Sequence, residues 1–171
     1  MTQLKVYLSA GFLFLFVAAS LEARPTGDQV SEAICDFDLS RVQKYVAQGW
    51  GVNDPLSSDS GATALTLASY CYGGSPEIAA WLIQRGADVN RHDRKDYSNL
   101  MWALRSVDEP GDAMHKVVLD MVRRGANINW QDPTTGRTPL MLSASLGDME
   151  LVKDMIRRGA DRTKKTTSDW C

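Results

Sequence analysis

The residues best suited to chemistry in this chain are a pair of carboxylates, Asp36 and Asp38, and two histidines, His92 and His115. Two carboxylates so close together could act as a general acid and a general base. In a turn that precedes a helix, however, such residues are more often helix caps. The two histidines lie far apart, and neither has a second nitrogen or sulfur ligand at the spacing that zinc sites use.

The known catalytic motifs are also missing from the sequence. There is no GxSxG, phosphate-binding loop, HExxH or GxGxxG. Gly73 and Gly74 form a glycine pair, which suits a turn between two helices. We therefore predict no catalytic residues, no cofactor and no metal.

The overall charge favours no particular class of polymeric ligand. The 171 residues include 19 basic and 21 acidic side chains, for a net charge of -2. A nucleic-acid-binding protein usually carries a basic patch, so we do not expect nucleic acid as a partner. The length suits one domain with a continuous core.

The first residues have the pattern of an export signal. A positive start is followed by an uncharged apolar stretch over residues 6–19 and then by small residues up to Ala23. This stretch is shorter than the roughly 20 residues of a membrane-spanning helix. We predict a signal peptide over residues 1–23, cleavage after Ala23, and a periplasmic or secreted protein that leaves the membrane. The alternative is a retained anchor and a membrane-tethered scaffold.

The rest of the chain contains an internal repeat. The hexads QGWGVN, RGADVN, RGANIN and RGADRT occur at residues 48–53, 85–90, 124–129 and 158–163, with leading glycines 34 to 39 residues apart. A shorter block, TALT, SNLM or TPLM, precedes each of the last three hexads. Apolar residues at helical spacing lie between block and hexad, which predicts two short helices per repeat. Thr138 and Pro139 suit the start of one helix, and Gly147 suits its end.

From the TPLM block to Asp161 the sequence resembles the ankyrin repeat, whose period is about 33 residues and whose opening is Thr-Pro-Leu-His. Thr66, Met101 and Met141 replace the histidine of that opening. The resemblance implies an all-α solenoid of about four stacked helix-turn-helix repeats with hairpin-like fingers. We place this domain at 24–171, with repeats at 28–53, 54–90, 91–129 and 130–163 and a loosely held tail at 164–171.

The resemblance also implies a function, which is non-catalytic binding of another protein by a monomer. In this family the binding surface is concave and consists of the fingers and the exposed side of each inner helix. The residues that map to this surface are Tyr70, Tyr72, His92, Arg94, Lys95, Tyr97, Arg105, Gln131, Arg137 and Ser145. Exported bacterial members include oxidant-protection proteins and toxin-neutralising immunity proteins, and no residue here selects between them. We interpret Trp102 as a packing residue and His115 as a surface residue, and we assign no role to Trp130.

The cysteines are Cys35, Cys71 and Cys171, and an odd number leaves at least one thiol without an intrachain partner. Cys35 and Cys71 fall at equivalent ends of the first two inner helices. Regular stacking places such ends about 10 Å apart, which is too far for a disulfide and favours free thiols. Extra residues around Tyr72 could bend the helix end inward and allow a bridge, so both outcomes remain open. Cys171 is then the odd thiol.

Overall fold

The computed structural model describes residues 23–167, which form four helix-turn-helix pairs. The helices are α1 (Gly27–Cys35), α2 (Leu39–Ala47), α3 (Ala64–Tyr70), α4 (Pro76–Gln84), α5 (Asn99–Arg105), α6 (Ala113–Arg123), α7 (Pro139–Ser145) and α8 (Met149–Arg157). A short 3₁₀ turn, Cys71–Gly73, follows α3. The predicted all-α ankyrin-repeat solenoid is confirmed.

The pairs stack because no pair can bury its own apolar face. The inner helices α1, α3, α5 and α7 contact one another in sequence order, and the outer helices α2, α4 and α6 form a second layer. Leu65 and Leu100 are fully buried between inner helices, while Leu82 and Met121 fill the space beneath the outer layer. Leu140 is only half-buried, since in the described part of the chain no helix pair follows α7 and α8.

Side-chain caps start every inner helix. Thr26, Thr63, Ser98 and Thr138 each accept a hydrogen bond from the backbone amide three residues later. At Thr63 the arrangement is reciprocal, because the Thr66 hydroxyl accepts the Thr63 amide at 3.0 Å. Thr66 stands where the family has its histidine, so in this repeat a hydroxyl helps to fix the helix start.

A ladder of asparagines joins consecutive repeats. The side chains of Asn53, Asn90 and Asn129 each donate to a glycine carbonyl of the next hexad, at 3.1–3.2 Å. The same side chains each accept a backbone amide two residues beyond that glycine, at 2.7–2.8 Å. The last position of the recurring hexad therefore sets the register between fingers.

Three fingers connect the pairs, at residues 51–62, 88–97 and 127–137, and we call them the first, second and third finger. Each is closed by one backbone hydrogen bond, from Leu56, Asp93 or Asp132. The tail is predicted to be loosely held, but up to Thr167 it is hydrogen-bonded to the third finger. Its backbone and side chains bond to the third finger, for example from the Thr167 amide to the Thr135 carbonyl at 3.0 Å.

The predicted signal peptide and Cys171 lie outside the described residues, apart from Ala23 at the end of that segment. Within residues 23–167, no helix has the length and apolar character needed to cross a membrane.

Candidate protein-binding surface

Five rings form a continuous line of contacts that runs from the concave side of the solenoid to Trp130, which is 7% exposed and belongs to the core. Tyr70 and Tyr97 both contact the Trp102 ring, with centroid distances of 4.6 Å and 4.5 Å. Tyr97 also meets Trp130 at 5.4 Å, and Trp130 meets His92 at 5.9 Å. We call these five residues the aromatic track. It spans α3, the second finger, α5 and the base of the third finger, so it crosses three repeats.

The sequence analysis placed Tyr70, Tyr97 and His92 on the concave surface and assigned Trp102 to packing; in the structure Trp102 packs against both tyrosines and also lines a cleft. The Trp102 ring is half-buried, and its indole N–H donates to Asp93 at 3.2 Å. Leu67 and Leu142 hold the same position, four residues after the helix cap, and all three line concave clefts. Comparing the repeats at this position would have placed Trp102 on the concave side from the sequence alone.

The track borders three clefts, numbered here along the chain. The first cleft, about 330 Å³, lies between α1 and the first finger and ends at Tyr70. The second, about 350 Å³, lies between the first and second fingers and is lined by Tyr70 and Trp102. The third, about 250 Å³, lies between the second and third fingers and is lined by Tyr97. The result is a groove whose depressions follow the spacing of the repeats.

Basic side chains flank the groove as predicted, although some have internal partners. Arg94 and Lys95 line the second cleft, and the Arg94 guanidinium donates to the Ser58 carbonyl. Arg105 and Arg137 line the third cleft, and Arg105 donates to the Tyr97 hydroxyl at 3.3 Å. The arginines therefore both shape the fingers and present charge to the groove.

The aspartates of the fingers are engaged in turns. Asp93 accepts the amides of Lys95 and Tyr97, both at 2.9 Å. Asp132 plays the same part in the third finger, where it accepts from Thr134 and Thr135. Burial raises the pKa of Asp132, but these hydrogen bonds and the charge of Arg105 outweigh it and hold the pKa below its ordinary value. These carboxylates stabilise the finger tips.

Three predicted binding residues neither belong to the aromatic track nor line any of the three clefts. Tyr72 lies in the 3₁₀ turn beyond α3, at the opposite end of that helix from the fingers, with 83% of its surface exposed. Ser145 donates to the Leu142 carbonyl at 2.8 Å. Gln131 donates to the carbonyls of Gly136 and Lys165, both at 2.8 Å, and so ties the tail to the third finger.

Cys35 and Cys71 are joined by a disulfide in the structure, with their Cα atoms 5.7 Å apart. Regular stacking argued for free thiols, and the helix end departs from regular stacking here. The α-helix stops at Tyr70, and Tyr72 takes a left-handed conformation with φ of 49°. This bend carries Cys71 toward Cys35, which itself lines the first cleft.

His115 is buried, which corrects its assignment to the surface. Only 3% of the residue is exposed, and its Nε2 lies 2.7 Å from Oδ2 of Asp148, which is 1% exposed. Asp148 also caps α8 by accepting the Leu151 amide at 3.0 Å. The pair therefore connects α6 with the start of α8, across the boundary between the last two repeats.

The carboxylates considered as possible catalytic residues, Asp36 and Asp38, stabilise the turn between α1 and α2 and the start of α2. Asp38 caps α2, and Asp36 pairs with Arg41 at 2.8 Å. Across residues 23–167, no three His, Cys, Asp or Glu side chains are grouped as metal ligands would be. We therefore take the concave groove, with its three clefts, as the candidate binding site of the described chain.

Comparisons with known proteins agree with this architecture. The ankyrin-repeat family model matches residues 60–94 and 135–167. The chain is 33% identical over 96 residues to the ankyrin repeat and KH domain-containing protein mask-1 of Caenorhabditis elegans, covering 56% of this chain and 4% of that protein. It is 32% identical over 93 residues to the ankyrin repeat and KH domain-containing protein CBG24701 of Caenorhabditis briggsae, covering 54% and 3%.

A bacterial relative is more distant. The chain is 25% identical over 128 residues to the phosphocholine transferase AnkX of Legionella pneumophila, covering 75% of this chain. That alignment spans 13% of AnkX, and the chain covers still smaller shares of the two nematode proteins. The similarity therefore concerns the repeats, and the activity named for AnkX is a property of that protein.

Proposed function

We propose that this chain, whose repeats are ankyrin repeats, acts outside the cytoplasm and holds a partner protein on its concave groove. Ankyrin repeats commonly bind other proteins, and the family is generally non-catalytic. The observation that carries the proposal is the aromatic track. Tyrosine and tryptophan are enriched among residues that dominate binding energies, and here they line a groove flanked by arginines.

Two features support a site of action outside the cytoplasm. The positive, apolar and small-residue order of residues 1–23 is typical of a cleaved export signal. The Cys35–Cys71 bridge suits an oxidising compartment, since disulfides are rare where thiol reductants are abundant. Mass spectrometry of the mature amino terminus tests this part. A chain that begins near Arg24 supports export, whereas an intact leader in the membrane fraction supports the tethered alternative.

The groove assignment is tested by capturing the partner from the native compartment with the full-length mature protein and identifying it by mass spectrometry. The affinity of that partner is then measured for Tyr70→Ala and Tyr72→Ala. The two tyrosines are two residues apart and undergo the same chemical change, but only Tyr70 belongs to the aromatic track.

We expect Tyr70→Ala to weaken binding about tenfold or more, because losing an interface aromatic typically costs more than 1 kcal/mol. Tyr72→Ala should bind normally. Thermal unfolding of both variants controls for loss of fold. If Tyr72→Ala loses the partner and Tyr70→Ala keeps it, the binding surface lies on the turn edge and the groove assignment is wrong.

A further inference from the structure

The third cleft differs from the others in carrying two arginines above an apolar floor. Arg105, from the end of α5, and Arg137, from the end of the third finger, both line it. The floor is formed by Met101 and Leu142, and the Tyr97 ring forms one wall. Such a cavity suits a ligand group that combines a short apolar stem with a negative end.

The two guanidinium groups keep donors available. Among the described residues, Arg137 has no side-chain hydrogen bond or ion pair; only its backbone is bonded, through its amide to Thr135 and through its carbonyl to the Asp132 amide. Arg105 donates to the Tyr97 hydroxyl alone. Since a guanidinium carries five N–H donors in a planar fork that matches a carboxylate, most of this donor capacity has no partner among the described residues.

The one acidic residue of the cleft does not take up these donors. Asp132 is 5% exposed, and its oxygens accept the Thr134 amide at 2.8 Å, the Thr135 amide at 3.3 Å and the Thr135 hydroxyl at 2.7 Å. Its carboxylate is thus turned into its own finger. Among residues 23–167, two positive charges against one engaged negative charge give the lining of the cleft a net positive charge.

The cleft also lies within a continuous path. The Tyr97 ring that forms its wall contacts Trp102, which lines the second cleft, where Arg94 and Lys95 lie beside the carboxylates of Asp59 and Asp93. A ligand that continues beyond the third cleft therefore meets an aromatic surface and then a cleft that carries side chains of both charges. This favours an extended chain passing along the groove over an isolated small anion.

We propose that the third cleft binds the side-chain carboxylate of a glutamate or aspartate within an extended acidic segment of the partner protein. This inference rests on the proposed function and adds the chemistry of the partner. Arg105 and Arg137 would clamp the carboxylate, its methylene stem would lie on Met101 and Leu142, and the following residues would run over the aromatic track.

The test uses an end-blocked hexapeptide of alternating leucine and glutamate, with the same peptide in leucine and glutamine as the neutral control. The full-length mature protein, labelled with ¹⁵N, is titrated with each peptide while NMR follows the arginine Nε–Hε signals. We expect saturable shifts at Arg105 and Arg137 with the glutamate peptide. We expect the affinity to fall about tenfold with glutamine, since a hydrogen bond to a charged group is more stable than a neutral one by about 1.4 kcal/mol, which is tenfold in Kd.

Two matched variants locate the effect. Arg137→Gln should lower the affinity for the glutamate peptide about tenfold and leave the fold intact, because its side chain has no internal partner among the described residues. Arg123→Gln removes the same charge from the exposed end of α6 and should leave the affinity unchanged. Raising the ionic strength should lower the affinity of the protein for the glutamate peptide and leave its affinity for the glutamine peptide unchanged.

Equal affinity of the two peptides, equal losses in the two variants, or no saturable shift at either arginine would each overturn the carboxylate site. If the two peptides bind with equal affinity and still shift the NMR signals of the aromatic track, the groove binds peptides without recognising a carboxylate. In that case this inference fails while the proposed function stands. The partner affinities of Tyr70→Ala and Tyr72→Ala test the proposed function independently.

Discussion

Reduction of the Cys35–Cys71 disulfide is the perturbation whose effect can be worked out most directly. The bond closes a loop over a sequence separation of 36 residues. Reducing it leaves every side chain in place and frees the unfolded chain from that constraint. In the chain-entropy account, a loop of this length is worth about 4 kcal/mol. We expect the reduced protein to be less stable by about that amount.

The loss should be local as well as large. In a solenoid each repeat is stabilised by its neighbours, so the cost falls on the first two repeats, which the bond connects. Amide hydrogen exchange should rise in α1 and α3 and remain unchanged in α8. If unfolding stays cooperative, the thermal midpoint should fall by about 8–16 °C, from roughly 2–4 °C per kcal/mol in a chain of this size.

The assay is urea unfolding of the same preparation with and without a reductant, beside a Cys35→Ser/Cys71→Ser double variant. The double variant should be insensitive to reductant and should resemble the reduced protein. Alkylation of the unfolded, non-reduced protein should find one free thiol, at Cys171. Three free thiols, or midpoints that coincide with and without reductant, would refute the reasoning.

Three further changes test other parts of the fold by urea unfolding. Asn90→Ala removes one donated and one accepted hydrogen bond between fingers and should cost about 1–3 kcal/mol; no change would show that the ladder is dispensable. Leu100→Ala truncates a side chain that is 1% exposed and should cost about 2–5 kcal/mol, whereas half-buried Leu140→Ala should cost less. Folding lowers the pKa of Asp132, so its ionised carboxylate should contribute to the free energy of unfolding above the ordinary aspartate pKa of about 4. This contribution should be lost as the pH falls through the lowered pKa of the folded protein. Asp132→Asn should therefore make the free energy of unfolding less dependent on pH in the acid range.

The architecture was predictable because it follows from local patterns. The recurring hexad, the helix caps and the apolar spacing each act within one repeat, and the structure confirms Thr138 as a cap, Pro139 in the first turn and Gly147 in a left-handed turn. The inferences about caps and turns need only the geometry of a single helix or turn. The concave placement of Tyr70, Tyr97, Arg105 and Arg137 came from the resemblance to the ankyrin repeat, onto which these positions were mapped.

The sequence alone determined the repeat and the helix pairs, because these depend on short-range spacing. Tertiary structure decided which residues meet across repeats. Cys71 reaches Cys35 because α3 ends early, His115 contacts Asp148 because α6 lies beside the start of α8, and Trp102 joins two tyrosines from different repeats. Such contacts depend on shifts of a few ångströms between stacked pairs, and no residue encodes those shifts by its own position in the repeat.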